Sequence, residues 1–154
     1  MTVMSRVGCR GAAAAVCVAL ILTMSGCATG EGGVPGSLSR AAGEGASAVT
    51  SVAYALRLWR AEDATDNQTT VLLGDAGDQL NSAYTDVAEL DVNDRLVADS
   101  VRILLEKLSI AMSLVIRARQ VVGGGPVVNS DPLIADLTAI GDEFSNLSDA
   151  PVPR

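Results

Sequence analysis

The sequence has 154 residues, enough for one domain, and it contains 18 acidic residues, 11 basic residues and no histidine. Without histidine, the protein lacks the commonest general base, metal ligand and neutral-pH switch. The excess of acidic residues argues against partners such as nucleic acid or anionic phospholipid. Only 3% of the residues are aromatic against 49% apolar, so a folded core must be aliphatic. No proline lies between Gly36 and Gly125, which favours helices over that stretch.

The first 26 residues have the order of a secretory signal peptide. Arg6 and Arg10 form a short basic region, residues 12–22 are apolar and uncharged, and Ser25-Gly26 is a small-residue pair. The apolar run has 11 residues, whereas a transmembrane helix needs about 20. An uncleaved anchor is the alternative interpretation of the same residues.

Cys27 follows this signal, and the four residues that end in it match a known pattern. The sequence Met24-Ser25-Gly26-Cys27 resembles the lipobox of bacterial lipoproteins, with Met24 in the place where Leu is usual. The resemblance implies that the Cys27 thiol receives a diacylglycerol and that the chain is cut between Gly26 and Cys27. It also implies that the new N-terminus can take a further acyl chain such as palmitate. The expected location is the extracytoplasmic face of the cell membrane.

Processing at this site would leave a mature chain of 128 residues without a free thiol. Cys9 and Cys17 leave with the signal, and Cys27 is used by the lipid, so no cysteine remains for a disulfide, a metal site or a nucleophile. The mature chain must therefore be stabilised by packing alone, which is feasible at this size. Its nine basic and 18 acidic residues give a net charge of −9, which we interpret as a solvated acidic surface.

The mature chain is predicted to begin with a tether. Residues 27–37 are assigned to the lipidated cysteine and a flexible linker, because residues 28–36 contain four glycines and one proline without periodicity. Nine such residues reach roughly 15–18 Å, so the domain would lie close to the membrane. The helical domain is assigned to residues 38–149, and residues 150–154 are predicted to be a disordered tail.

Three of the predicted helices show an ordinary amphipathic pattern. The first begins near Ser37 or Ser39, the second covers residues 69–90, and the last begins at Ser130-Asp131-Pro132. The second helix is expected to be capped by Asp66 or Asn67. The apolar stripes consist of Val49, Val52, Ala53, Leu56 and Trp59 in the first helix, of Leu73, Ala76, Gly77, Leu80, Ala83, Tyr84 and Val87 in the second, and of Leu133, Leu137, Ile140, Phe144 and Leu147 in the last.

The third predicted helix, residues 96–122, has the strongest pattern. It is expected to be capped by Asp91 or Asn93 and ends at Gly123-Gly124-Gly125-Pro126, a strong stop signal. A helix this apolar must be covered on two sides or more, so we predict that the other segments pack around it. Its seam, with alternating steps of 4 and 3, consists of Val97, Val101, Leu104, Leu108, Ala111, Val115, Ala118 and Val122. Further apolar rows are Ile103, Ile110, Leu114 and Val121 on one flank and Leu105, Met112 and Ile116 on the other. Four such helices joined by short polar turns predict an all-α, up-down four-helix bundle.

No catalytic, cofactor or metal site is predicted. The sequence lacks a Gly-rich phosphate loop, a Cys or His metal pair and a nucleophile elbow. The carboxylate pairs Asp75 with Asp78 and Asp86 with Glu89 could bind a hard cation or act as acid and base. They lie off the apolar stripe, which favours solvated surface charge, so an enzyme is the weakest interpretation.

The sequence therefore suggests a membrane-anchored extracytoplasmic lipoprotein whose folded part is a non-catalytic interaction or scaffold module of the cell envelope, with an envelope protein as its partner. The alternative is a carrier that holds an apolar ligand between its helices. Ala76, Gly77 and Ala83 in the second helix could leave room for such a ligand. We expect a filled core instead, because the stripe of the last helix is bulky and small residues more often serve close helix contact.

Overall fold

The computed structural model describes residues 32–124 and 129–149, nearly all of which belong to four α-helices. They are α1 (Val34–Arg60), α2 (Asp66–Ala88), α3 (Arg95–Val122) and α4 (Asp131–Asp149). No strand occurs within these two ranges. The predicted all-α four-helix bundle is confirmed.

The four helices run alternately up and down. α1 and α3 each contact all three other helices, whereas α2 and α4 lie at opposite corners without contacting each other. The start of α1 meets the end of α4, where the Ser39 hydroxyl donates to the Ser148 carbonyl over 2.8 Å. The other end of α1 meets the start of α4 through an ion pair between Arg60 and Asp131.

α1 begins at Val34, inside the stretch predicted to be a flexible linker. Gly33 precedes it with a φ of 86°, and Pro35 lies in the first turn, where its missing N–H costs no hydrogen bond. Val34 also packs against the core, so a tertiary contact helps to hold this first turn. Along the sequence, six residues separate Cys27 from the start of α1.

The caps of α2 and α3 also differ from the predicted ones. α2 is capped by Thr65, whose hydroxyl accepts from the Gln68 N–H, while the Gln68 side chain accepts from the Thr65 N–H. This reciprocal pair is a capping box, which satisfies two backbone donors at once. α3 is capped by Asp94, whose carboxylate accepts from the backbone N–H of Leu96 at 2.8 Å and of Val97 at 3.2 Å. The predicted caps Asp66, Asn67, Asp91 and Asn93 each lie one to three residues from the observed ones.

The core is aliphatic, as predicted, and all four helices contribute to it. The predicted stripes of α1, α2 and α4 face inward, with Trp59, Tyr84 and Leu147 partly buried at the periphery. Trp59 lies at the end of α1, and its indole N–H donates to the Asp66 carboxylate over 2.7 Å, which makes it a residue of the bundle end. The largest fully buried side chains include Leu56, Leu73, Leu80, Leu108, Leu137 and Phe144.

α1 and α4 approach each other closely where a glycine on each helix meets a buried side chain of the other. A Cβ atom at Gly45 would lie 3.1 Å from the ring of Phe144. A Cβ atom at Gly141 would lie 3.3 Å from Val49. Both distances are shorter than an ordinary van der Waals contact, so the two backbones approach as closely as they do only because these positions lack side chains.

α3 is the longest helix, with 28 residues, but its coverage differs from the prediction. The seam is buried from Leu104 onward, whereas Val97 and Val101 are only half-buried. On the flanks Ile103, Ile110 and Ile116 are exposed, so the prediction that the other helices cover both flanks is wrong for these three residues.

Candidate interaction surface

The residues predicted for signal cleavage and lipidation, Gly26 and Cys27, lie outside the residues that the structure describes. The same holds for the predicted signal peptide, residues 1–26, and for the predicted tail, residues 150–154. Among the helices described, none is both long enough and apolar enough to span a bilayer. A candidate site on the folded part must therefore be sought on the bundle itself.

The carboxylate pairs of α2 lie on the bundle surface. Asp75, Asp78, Asp86 and Glu89 are all exposed, and the described ranges contain no group of acidic or cysteine side chains arranged to hold a metal ion. Asp86 and Glu89 line an open, mostly polar cleft of about 340 Å³ between α2 and the first turns of α1, together with Ser37, Arg40, Ala41 and Glu44.

The bundle interior offers no unsatisfied polar group within these ranges. The buried hydroxyl of Thr69 donates to the Thr65 carbonyl over 3.0 Å, and so closes its own helical turn. A buried polar group without a partner would have indicated a ligand or a catalytic role. Within the described residues, the polar side chains cap helices, bond within helical turns or lie exposed as charges.

The most prominent surface feature is a row of apolar side chains along α3, which we call the α3 row. Leu96, Ile103 and Ile110 are 60%, 39% and 46% exposed, and their spacing of seven residues places them on one face of the helix. Leu114 and Val121 continue the row toward the end of α3 and are more deeply buried. The exposed part of the row, from Leu96 to Ile110, covers about 21 Å at 1.5 Å per residue.

α4 leaves the first turns of α3, where the α3 row begins, uncovered. Ion pairs between Lys107 and Glu143 and between Arg117 and Asp136 set these two helices side by side in opposite directions. At that register the 19 residues of α4 end opposite the second or third turn of α3. The first turns of α3, which include Leu96, therefore extend beyond the described end of α4.

Other exposed apolar residues do not form a comparable row. Tyr54 lies on α1, Val71 and Leu72 lie on α2, and Ile116 lies on the opposite flank of α3. Scattered apolar residues of this kind are normal on the surface of a soluble domain. A line of three or more on one helix face indicates a contact surface.

Sequence reasoning identified Ile103, Ile110, Leu114 and Val121 as a row and assigned them to a packed interface, which is confirmed for Leu114 and Val121 and wrong for Ile103 and Ile110. The shorter last helix was a signal only for the first turns of the third helix, which include Leu96 and extend beyond the end of α4.

Comparison with known proteins gives no family for this chain. It matches no protein-family model, no curated protein and no solved structure.

Proposed function

We propose that this protein is a lipid-anchored extracytoplasmic lipoprotein whose helical bundle is a non-catalytic interaction module of the cell envelope. The observation that supports it most is the α3 row, in which Leu96, Ile103 and Ile110 are exposed beside the buried seam of the same helix. A large apolar side chain that stays in water gains no burial free energy on folding, so a row of them on one helix favours a role in binding.

The anchor rests on the sequence Met24-Ser25-Gly26-Cys27 and on where the bundle begins. With α1 starting at Val34, six residues separate Cys27 from the first helix. A flexible segment of that length reaches roughly 12–15 Å. Such a short tether would keep the bundle beside the membrane, where an envelope protein could contact it.

The carrier alternative is less well supported because the small residues of the bundle lie in close contacts. A Cβ atom at Gly74 would meet the Arg119 guanidinium at 3.3 Å, and one at Gly77 would meet Val115 at 3.8 Å. Ala76 and Ala83, which could have bounded a ligand cavity, are buried in the same core cluster. The small residues of α2 therefore serve its approach to α3 rather than a binding space.

The anchor can be tested by mass spectrometry of the native protein and two variants. We expect the native N-terminus to be an acylated Cys27, with two or more acyl chains that give stable membrane binding. Cys27→Ser should accumulate as the uncleaved precursor, whereas Cys17→Ser, a change within the signal, should be processed normally. An unmodified Cys27 thiol in the native protein would contradict the anchor.

The choice between interaction module and carrier can be tested by native mass spectrometry of protein released from its own envelope. A mass equal to the polypeptide plus its covalent lipid supports the interaction module. A stoichiometric apolar adduct that leaves on organic extraction would support the carrier and overturn our preference.

A further inference from the structure

We propose that the polar cleft between α1 and α2 binds a small zwitterion that carries an ammonium group and a phosphate, as a phosphoethanolamine headgroup does. We call this site the α1–α2 cleft, and its lining residues are Ser37, Arg40, Ala41, Glu44, Asp86 and Glu89. The chemistry of the ligand is argued from the described bundle alone. Only the choice between a lipid headgroup and a free zwitterion rests on the lipid anchor proposed above.

The α1–α2 cleft is a recess between two helices and not a flat surface. Ala41 lines it and is only 3% exposed, so this small side chain lies deep in the cleft between charged residues of α1 and α2. The volume of about 340 Å³ lies at the lower end of the range for small-molecule sites. Because the cleft is open and mostly polar, it suits a small charged ligand that stays partly hydrated.

Opposite charges line this cleft without neutralising each other. Arg40 and Glu44 lie four residues apart on α1, a spacing at which opposite charges commonly pair. Neither takes part in an ion pair within the described ranges. The Arg40 guanidinium donates to the Ser37 hydroxyl over 3.5 Å, which is long for a hydrogen bond. Both charges of α1 are therefore available to a ligand.

The α2 side of the cleft adds two carboxylates, those of Asp86 and Glu89, which also form no ion pair in the part of the chain that the structure describes. Carboxylates bind an ammonium group, and a guanidinium binds a phosphate, through charge-assisted hydrogen bonds. A simple cation would leave Arg40 without a counter-charge, and a simple anion would be repelled by three carboxylates. A ligand that carries both charges meets the whole set.

The position of the cleft suggests where such a ligand could come from. Its α1 residues belong to the first turns of that helix, so the cleft lies at the end of the bundle where the chain arrives from Cys27. If Cys27 is acylated, a segment of six residues, which reaches roughly 12–15 Å, keeps the cleft near the headgroups of the same membrane. A zwitterionic headgroup also avoids the repulsion that an acidic surface would experience from anionic phospholipid.

Titration of the full native protein, in detergent free of phospholipid, tests the chemistry. The probes are phosphoethanolamine, ethanolamine and glycerol phosphate, which carry both charges, the ammonium alone and the phosphate alone. We expect phosphoethanolamine to bind severalfold more tightly than either of the others, with an affinity that falls as salt is added. Hydrogen exchange should slow in residues 37–44.

Three variants locate the site. Arg40→Gln should remove the advantage of phosphoethanolamine over ethanolamine, and Glu89→Gln should weaken phosphoethanolamine binding severalfold. Asp78→Asn is the matched control, because Asp78 is an exposed carboxylate of the same helix that does not line the cleft, and it should bind as the parent does. Circular dichroism of each variant should match the parent, which separates lost binding from lost folding.

Reconstitution in vesicles distinguishes the two sources of the ligand. If the cleft holds a lipid headgroup, vesicles of phosphatidylethanolamine with phosphatidylglycerol should suppress the binding of free phosphoethanolamine, whereas vesicles of phosphatidylglycerol alone should not. Equal binding in both would refute the lipid source and support a free zwitterion. Absence of acylation at Cys27 would contradict the anchor but leave the result in detergent standing. The proposal is overturned if phosphoethanolamine does not bind, if ethanolamine or glycerol phosphate binds equally tightly, or if Asp78→Asn weakens binding as much as Glu89→Gln.

Discussion

α1 and α3 are of nearly equal length and both contact every other helix, yet they bury their apolar residues differently. The buried face of α1 is built largely of small residues, whereas that of α3 is mostly Leu and Val, and the three Ile residues of α3 are exposed. The small buried residues of α1 are Ala41, Ala42, Gly45, Ala48, Ala53 and Ala55.

This difference explains why one flank of α3 stays uncovered. Small residues let neighbouring helices approach α1 closely, and α4 does so at Gly45 and Gly141. Packed against α1 in this way, α4 contacts α3 only along one edge. The comparison teaches that a strongly apolar helix such as α3 is not necessarily the best buried one. How closely the neighbouring helices can pack against a helix decides how much of its apolar surface they bury.

The largest difference in stability is expected between two residues of α3. Leu108 is fully buried in the seam, whereas Ile110, two residues later, is 46% exposed in the α3 row. We expect Leu108→Ala to lower the free energy of unfolding by about 2–5 kcal/mol, since it leaves a cavity in the core. Ile110→Ala should change it by no more than about 0.5 kcal/mol, as surface substitutions usually do.

Thermal and denaturant unfolding of the two variants measure this difference. Glu106→Ala serves as a polar control on the exposed side of α3 and should hardly move the midpoint. Equal losses for Leu108→Ala and Ile110→Ala would mean that both residues belong to the core and that the α3 row is covered after all.

The next test is on α1 and uses two glycines two residues apart. Gly→Ala within a helix ordinarily stabilises by about 0.8–1.0 kcal/mol, and we expect that gain for Gly43, where a new Cβ would lie 3.9 Å from the Ser148 hydroxyl. Gly45→Ala should instead destabilise, by about 1–3 kcal/mol, because the added methyl presses on the buried ring of Phe144. Chemical denaturation compares the two. A gain of stability for Gly45→Ala would show that α4 is free to shift away from α1.

Much of this fold could be predicted from the sequence, because the apolar period of a helix is a local property. The stripes of α2 and α4 and the seam of α3 from Leu104 onward were placed correctly from their spacing alone. The start of α1 was missed because residues 28–36 have the composition of a linker. A tertiary contact of Val34 helps to hold the first turn of α1, and the local sequence gives no indication of that contact.

The α3 row could be predicted only in part, because local spacing does not determine the contacts between helices. Periodicity shows that Ile103 and Ile110 share a face, but it does not show how near the neighbouring helix lies. That distance depends on Gly45 meeting Phe144 and on Gly141 meeting Val49, two contacts between helices far apart in the chain. Sequence reasoning could not see these contacts and so expected the other segments to cover α3 on two sides or more.

A smaller effect is expected at the turn that joins α1 to α2. Thr65→Ala removes the capping box and should cost about 1 kcal/mol, within the usual range of about 0.5–2 kcal/mol. Thr70→Ala, an exposed change within α2, is the matched control and should be close to neutral. Urea unfolding of both variants measures the difference in their free energies of unfolding. If the two variants are equally stable, the cap does not contribute to holding α2 against α1.

The smallest effect is expected for the ion pairs that join α4 to its two neighbours. Arg60 pairs with Asp131 on the α1 side, and Lys107 pairs with Glu143 on the α3 side. All four side chains are at least partly exposed, so a double-mutant cycle to alanine should give a coupling energy of about 0.2–1 kcal/mol for either pair, reduced further by salt.

If packing against α1 fixes α4, as the glycine contacts indicate, removing the Lys107 pair should leave the helix in place. Hydrogen exchange of the α4 amides should then stay as slow in Lys107→Ala as in the parent, whereas Gly45→Ala should speed it. A coupling energy well above 1 kcal/mol for Lys107 and Glu143, with faster exchange in α4, would mean that this ion pair holds α4 beside α3 and that the asymmetry between α1 and α3 has an electrostatic origin.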